Sequence, residues 1–351
     1  MKEKILQLLR ETDGFLSGQE ISKMFGVTRT SVWKAIRQLE EMGYEIEAVR
    51  NRGYHLCSEP DFLTNERIRE YLDTAWAGHP VQVCDSVDST NNEAKRRAES
   101  GASQGLLVIS EQQTAGRGRH GRAWDSKKGE GIFMSLLLRP DIEPAHASML
   151  TLVMGMAVRD ALEMTVRDAQ GMTEREVPER IANKVPEMTE CESPDVQIKW
   201  PNDIICSGKK ICGILTEMSA QVDCINHIVI GVGINVHNQE FPEEVRQTAT
   251  SVYLETGTHI CRARLAARCM CQFEGYYARF LETQDLSGLM EEYNTRLVNC
   301  GRQVRVLDFK ENYTGLAKGI NAEGELLVET EDGLKCVAAG EVSVRGVYGY
   351  V

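Results

Sequence analysis

A chain of 351 residues with 42% hydrophobic and 26% charged content is ordinary for a globular protein and long enough for two or three domains. Its net charge of −12 argues against a protein that coats nucleic acid nonspecifically, and no apolar run approaches the length of a membrane span. The chain opens on a charged amphipathic segment rather than a signal peptide. Eleven cysteines are scattered without a C-x-x-C pair. Cys206, Cys212, Cys224 and Cys269 lie in or beside apolar runs and are expected to be buried free thiols. The C-x-C pair of Cys269 and Cys271 has no partner cluster, and H-E-x-x-H is absent. A reducing cytoplasm and no structural metal are the expectation.

Residues 1–57 nearly balance acidic and basic side chains, unlike the acidic remainder. Ile5, Leu6, Leu8 and Leu9 predict a first short helix. Ser17 with Glu20 three residues on forms a capping box for a second, which stops at Gly26. Thr28 then opens a third, with Val32, Ile36 and Leu39 inward. Two helices joined by a short Gly-containing turn, followed by an alternating strand, a turn at Arg50–Gly53 and a returning strand, predict a winged helix-turn-helix over 1–60. Thr28, Arg29, Thr30, Ser31, Lys34 and Arg37 would face a major groove, with Arg50 and Arg52 at the wing tip meeting backbone or minor groove. A winged helix serving protein contacts alone is the competing reading.

Pro60 marks a linker, and a mixed α/β domain is expected over 61–297. Thr64 caps a helix carrying Ile68, Tyr71 and Leu72. Leu106–Ile109, Ile132–Leu138, Val196–Trp200, Ile211–Leu215 and Ile228–Val236 read as strands. Met149, Leu152, Val153, Met156 and Ala157 fall at helical spacing, as do Leu265, Cys269, Phe273, Tyr276, Tyr277 and Phe280. Residues 166–195 are acidic, contain Pro178, Pro186 and Pro194, and read as a surface insertion, partly helical around Glu179–Val185. From 298 to 351, short strands between Gly/Asn/Asp turns predict a small β-barrel.

The most informative segment is Gly116-Arg117-Gly118-Arg119-His120-Gly121-Arg122. Glycines admit close approach to a ligand, and arginine forks suit phosphate oxygens. The run matches G-x-G-x-x-G, yet turn-rich Ala123–Gly129 follows where a dinucleotide fingerprint needs a helix. A kinase loop fails for want of H-R-D or D-F-G downstream. Taken alone, the run is equally a solvated basic loop. Four further segments stand beside it. Asp88-Ser89-Thr90-Asn91 offers hydroxyls and an amide at a helix start. Glu111-Gln112-Gln113-Thr114 leads from a strand into the loop. Lys199-Trp200-Pro201-Asn202-Asp203 ends a strand in a turn with an exposed lysine and carboxylate, and Gly208–Leu215 sets Lys210 at the mouth of an apolar strand.

In this order, G-R-G-R-x-G-R, K-W-P-N-D and G-K-K-x-x-G-I-L resemble the biotin–protein ligase family, specifically its bifunctional members that also repress a biotin operon. The resemblance spans almost the whole chain, with His120 standing where other members often carry arginine. It implies an α+β, multidomain fold: the winged helix, a class II synthetase-like ligase domain and a C-terminal SH3-like barrel. It implies that Ser89, Thr90 and Asn91 hold biotin and Gln113 contacts it. Arg117, Gly118 and Arg119 would close over biotin and the adenylate, with Trp124 packed beneath. Lys210 would reach the biotin carboxylate, and Gly213 would lie against the ureido ring. Lys199 and Asn202 are further candidates for binding biotin or ATP, and Asn235, at a strand end, is a candidate nucleotide contact.

The implied reaction joins biotin's carboxylate to the α-phosphate of ATP, then passes the acyl group to a lysine of a biotin carboxyl carrier protein or carboxylase domain. Bringing two anions together calls for cations, supplied by Lys210, Arg117, Arg119 and Mg2+ with ATP. Asp203 would orient the acceptor amine. Biotinyl-5′-AMP would double as corepressor, ordering loops so that a homodimer meets palindromic operator DNA. A non-enzymatic biotin sensor, a lipoate ligase, and a ligase whose winged helix no longer binds DNA are the alternatives.

Overall fold

The computed structural model describes residues 1–12, 14–58, 60–175, 195–221, 224–307, 312–339 and 343–346. The chain divides into two compact units, Met1–Phe62 and Leu63–Val351.

In the first unit, α1 (Lys2–Arg10), α2 (Gly18–Phe25) and α3 (Arg29–Glu41) enclose Ile5, Leu6, Leu9, Ile21, Val32, Ala35, Ile36 and Leu39. The capping box forms: Ser17 Oγ accepts from Glu20 N, and Glu20 accepts from Ser17 N. Gly26 ends α2 in the left-handed region, at φ 63°. Two residues on, Thr28 caps α3 by accepting from Ser31 N. The antiparallel ribbon of β1 (Glu45–Val49) and β2 (Gly53–Ser58) follows.

The second unit is built on a seven-stranded sheet among the described residues, in the order β3-β4-β5-β9-β8-β7-β6. Its strands are β3 (Val81–Cys84), β4 (Leu107–Ser110), β5 (Gly131–Leu138), β6 (Val196–Lys199), β7 (Asp203–Cys206), β8 (Lys209–Ala220) and β9 (Ile225–Asn235). Only β3 and β4 run parallel. Strands β4 and β5 are buried on both faces, which explains their unbroken apolar text. On one side α5 (Thr90–Glu99) covers Val108, Leu137 and Val229 through Ala94 and Ala98. The other side carries the main core, under α4 (Asn65–Tyr71), α6 (Met149–Arg175), α7 (Val252–Thr256), α8 (Arg262–Thr283) and α9 (Met290–Thr295).

Helix α6 corrects the expected start of the insertion at 166. Ala161, Leu162, Thr165, Val166 and Ala169 keep the helical spacing and are buried, so the helix continues to Arg175. The helical stretch expected at Glu179–Val185 lies outside the described residues. Cys206, Cys212 and Cys269 are buried free thiols, whereas Cys224 is exposed because it sits in the β8–β9 turn rather than in a strand.

The C-terminal strands are β10 (Gln303–Leu307), β11 (Asn312–Ile320), β12 (Leu326–Thr330), β13 (Gly333–Val337) and β14 (Ser343–Gly346). They form an antiparallel sheet in the order β13-β12-β11-β10-β14, and β13 was not foreseen from the sequence. Trp200, fully buried, locks this sheet to the central one by donating its indole N–H to Gly324 O at 3.0 Å. No helix among the described residues is long and apolar enough to cross a membrane.

Candidate functional site

One end of α5 begins the site. Ser89 is the N-cap residue but makes no side-chain cap bond. The amide of Gln113 caps the helix instead, its Oε1 accepting from Thr90 N at 2.9 Å and lying 3.2 Å from Thr90 Oγ1. Gln113 Nε2 donates to Ser126 Oγ at 3.0 Å, which fixes the carboxamide's orientation. Ser135, rising from β5, places its hydroxyl 2.8 Å from Thr90 Oγ1 and 2.6 Å from Asn91 Oδ1. Asn91 Nδ2 donates to Glu217 at 2.7 Å, and Lys95 pairs with the same carboxylate at 2.6 Å.

Period-two alternation makes the floor. Gly213 of β8 faces Gly233 of β9 in register, and Leu215 faces Gly231. A Cβ on Gly233 would stand 2.7 Å from the Trp124 ring, and one on Gly213 would stand 2.9 Å from it. The indole therefore lies on bare backbone. A Cβ on Gly231 would fall 2.1 Å from Asn91 Oδ1. Trp124 Nε1 is buried and has no hydrogen-bond partner among the described residues, leaving a donor for an acceptor that enters the site.

The Gly/Arg loop folds back on itself. Gly118 N donates to Arg122 O at 2.8 Å and Trp124 N to Gly116 O at 2.9 Å, with His120 and Gly121 turning in the left-handed region. Arg117 donates to Asn92 Oδ1 at 2.6 Å. Arg119 spans two elements, donating to Asn202 Oδ1 and to Ala339 O, each at 3.0 Å, and burial lowers its pKa. Lys210 pairs with Asp203 at 2.5 Å, its ammonium 5.4 Å from the centre of the Trp124 ring. Asn235 is buried and donates to Thr250 O at 3.0 Å.

Lys199 departs from expectation. It was read as exposed, but it is 4% exposed and burial pushes its pKa down to about 8, against the opposing pull of Asp203. Lys199 ends β6 in the β6–β7 hairpin and lines the cavity together with the Arg loop, whose Arg119 reaches the hairpin turn at Asn202.

These groups converge on one cavity of about 430 Å3, lined by Ser89, Thr90, Asn91, Gln113, Arg117, Gly118, Arg119, Trp124, Lys199, Asn202, Asp203, Lys210, Gly213 and Asn235. Arg122, Phe241, Val245 and Arg345 also line it and were missed by sequence reasoning. Arg122 had a signal, as the last arginine of the run. Phe241 and Val245 lie in an irregular segment, and Arg345 comes from another sheet.

In the first unit, Thr28, Arg29, Thr30, Lys34 and Arg37 are exposed on or beside α3 and Ser31 is half-buried. Trp33, unremarked in the sequence, is exposed on the same helix. Arg29 donates to Gln19 at 2.5 Å, Arg37 pairs with Glu40 at 3.0 Å, and Arg52 stacks on Phe15. Arg50 is exposed in the β1–β2 turn.

Comparison with known proteins follows this division. The Biotin/lipoate A/B protein ligase family model matches residues 83–235, an HTH domain model matches 2–55, and the Biotin protein ligase C terminal domain model matches 300–345. The bifunctional ligase/repressor BirA of Bacillus subtilis is 35% identical over 347 residues, covering 98% of each chain. The chain belongs to the family of bifunctional biotin–protein ligases and repressors. The biotin–[acetyl-CoA-carboxylase] ligase of Mycobacterium tuberculosis is 32% identical, over 80% of this chain and 95% of that one. The biotin protein ligase of Aquifex aeolicus, solved in complex with biotin and ATP, superposes with a TM-score of 0.60 at 29% identity, over 76% of this chain and 98% of that one.

Proposed function

We propose that this member of the family activates biotin with ATP, transfers it to a lysine of a carrier domain, and represses a biotin operon through its helix-turn-helix, in the cytoplasm. The observation carrying the enzymatic half is the single cavity in which Arg117, Arg119, Lys199 and Lys210 face the capped start of α5. Ser89, Thr90, Asn91 and Gln113 are the groups we assign to biotin's ring end, over the glycine floor, with Gly213 against the ureido ring. At the acid end, Lys210 takes the carboxylate while Arg117, Gly118 and Arg119 close over the phosphate, with Lys199, Asn202 and Asn235 on the nucleotide side.

In the first step a carboxylate oxygen attacks the α-phosphorus and pyrophosphate leaves. The four cations lower the repulsion between the two anions, which a general base would not do. Among the described residues no group of three or more His, Cys, Asp or Glu is placed to hold a metal ion. Mg2+ would therefore arrive on the phosphate oxygens of ATP, where it supplies charge neutralisation. In the second step the acceptor amine attacks the acyl carbon and AMP leaves. We assign Asp203, which pairs with Lys210 in this structure, to orienting that amine.

We assign the adenylate a second role as corepressor of a homodimer. Strand β8 runs on past Gly213, where its ladder with β7 ends, so Thr216–Ala220 offer an edge for a second copy. In the C-terminal sheet a four-strand meander, β10 to β13, is followed by a fifth strand, β14, that returns beside β10, an order that supports the SH3-like reading. The largely antiparallel central sheet supports the synthetase-like one.

The test is to incubate the chain with labelled biotin, ATP and an apo-carrier domain, with lipoate as competitor. Pyrophosphate release and a labelled carrier, unaffected by lipoate, are expected. Absence of pyrophosphate would remove the enzymatic reading.

A further inference from the structure

We propose that Arg262 is a positioning residue that pins both feet of the active-site loop, with Glu111 as its partner. The inference deepens the ligase reading and rests on it for its consequence in turnover. The ligand-facing segment Gln112–Glu130 leaves the sheet just after β4 and rejoins it at the start of β5. Glu111 is the last residue before it and Gly131 the first after it. Arg262, the first residue of α8, bonds to both. Its Nη1 donates to Glu111 Oε2 at 2.8 Å and to Gly131 O at 3.0 Å, and its Nη2 donates to Glu111 Oε1 at 3.2 Å.

The site is closed and particular. Arg262 is 2% exposed. A planar fork can address a carboxylate with two nitrogens while one of them also reaches a carbonyl, which a round ammonium does less well. Glu111 is held from a third side by Leu63 N at 3.1 Å. The second foot continues into the opposite wall of the cavity, because Glu130 O accepts from Val236 N and His237 N and its carboxylate accepts from Asn238 Nδ2 at 3.0 Å. One guanidinium thus sets the separation of the two ends from which Gln113, Arg117, Arg119 and Trp124 hang.

A buried ion pair alone is weak evidence for anything but local structure. The distinction lies in what moves when it is altered. Three variants are needed. Arg262→Lys keeps the charge and loses the fork, and Glu111→Gln keeps the shape and loses the charge. Glu111→Leu with Arg262→Met removes both charges, leaving no unpaired ion to unfold the chain.

Hydrogen exchange without ligand should show the loop amides of residues 113–124 exchanging roughly tenfold faster or more, while β5 and β9 amides keep their wild-type rates. The KM for biotin and the adenylate release rate should rise roughly tenfold, with kcat for carrier transfer far less changed, and Arg262→Lys should lie between wild type and the double variant. Loop and core exchange rising together, or a wild-type KM and release rate in every folded variant, would overturn the pin. A wild-type chain that forms no adenylate overturns the ligase reading instead, since exchange is measured without ligand.

Discussion

Lys199 is buried where little water reaches, so it would report a phosphate bound beside it. Its folded pKa of about 8 lies below the roughly 10.4 of a free lysine. Below pH 8 the amine is protonated in both folded and unfolded chains, and its burial costs stability. As pH climbs from about 8 to about 10.4 the folded chain releases the proton first, so this group's contribution rises with pH. A nucleotide phosphate beside it favours the charged form and draws the pKa back up. At about pH 9, nucleotide binding should therefore take up a proton, and affinity should weaken as pH rises past 8. Calorimetry in buffers of differing ionisation enthalpy measures the uptake, which Lys199→Met should abolish. Equal uptake in both proteins would place the phosphate elsewhere. Arg119 makes the complementary case. Arg119→Gly removes charge-assisted bonds to Asn202 and Ala339. With each such bond worth about 1.5–3 kcal/mol and some relaxation, a net loss of about 2 kcal/mol corresponds to roughly thirtyfold faster adenylate release. Untargeted labelling of bystander lysines should increase in parallel; an unchanged release rate removes Arg119 from the gate.

At the scale of elements, the glycines of β8 and β9 do what no side chain can. Gly213 and Gly233 are cross-strand partners, and their bare backbone is the surface on which the Trp124 indole rests. Gly233→Ala puts a methyl 2.7 Å from that ring. The indole must move and carry the loop with it, so biotin affinity should fall by roughly tenfold or more while the buried partners Val232 and Ile234 keep the strand in place. Biotin titration followed by tryptophan fluorescence reads the loss, and wild-type affinity would show that the indole is not part of the floor. These elements were unequally legible. The capping box at Ser17, the turn at Gly26 and the Gly/Arg loop are local patterns, and each was visible as text. Strand β13 was not, because Leu334 and Cys336 face solvent and blur the alternation. Lys199 differs for a related reason: a lysine at a strand end normally snorkels out, whereas this one is buried in the wall of the cavity. Arg262 and Glu111 stand 151 positions apart, and no periodicity links them.

For the whole molecule, charge sets the terms of repression. The chain carries −12, and its helix-turn-helix is close to neutral. Several of its basic groups are also engaged within the chain: Arg29 with Gln19, Arg37 with Glu40, Arg52 with Phe15. Among the described residues of that face, Lys34 and Arg50 have no such partner. One protomer therefore neutralises few phosphates, and each phosphate contributes only about 0.9 to the slope of log affinity against log salt. Two protomers on a palindrome double that number without a new contact, with half-sites one helical turn or a multiple apart, about 34–36 Å per turn. Operator occupancy in the presence of biotin and ATP should then rise with the second power of protein concentration. Lys34→Ala should lower the salt slope by about two, one for each protomer. Filter-binding titrations across salt concentrations give both quantities. A one-to-one complex of full affinity, or a slope change near one, would mean that a single recognition helix suffices and that the dimer has no part in repression.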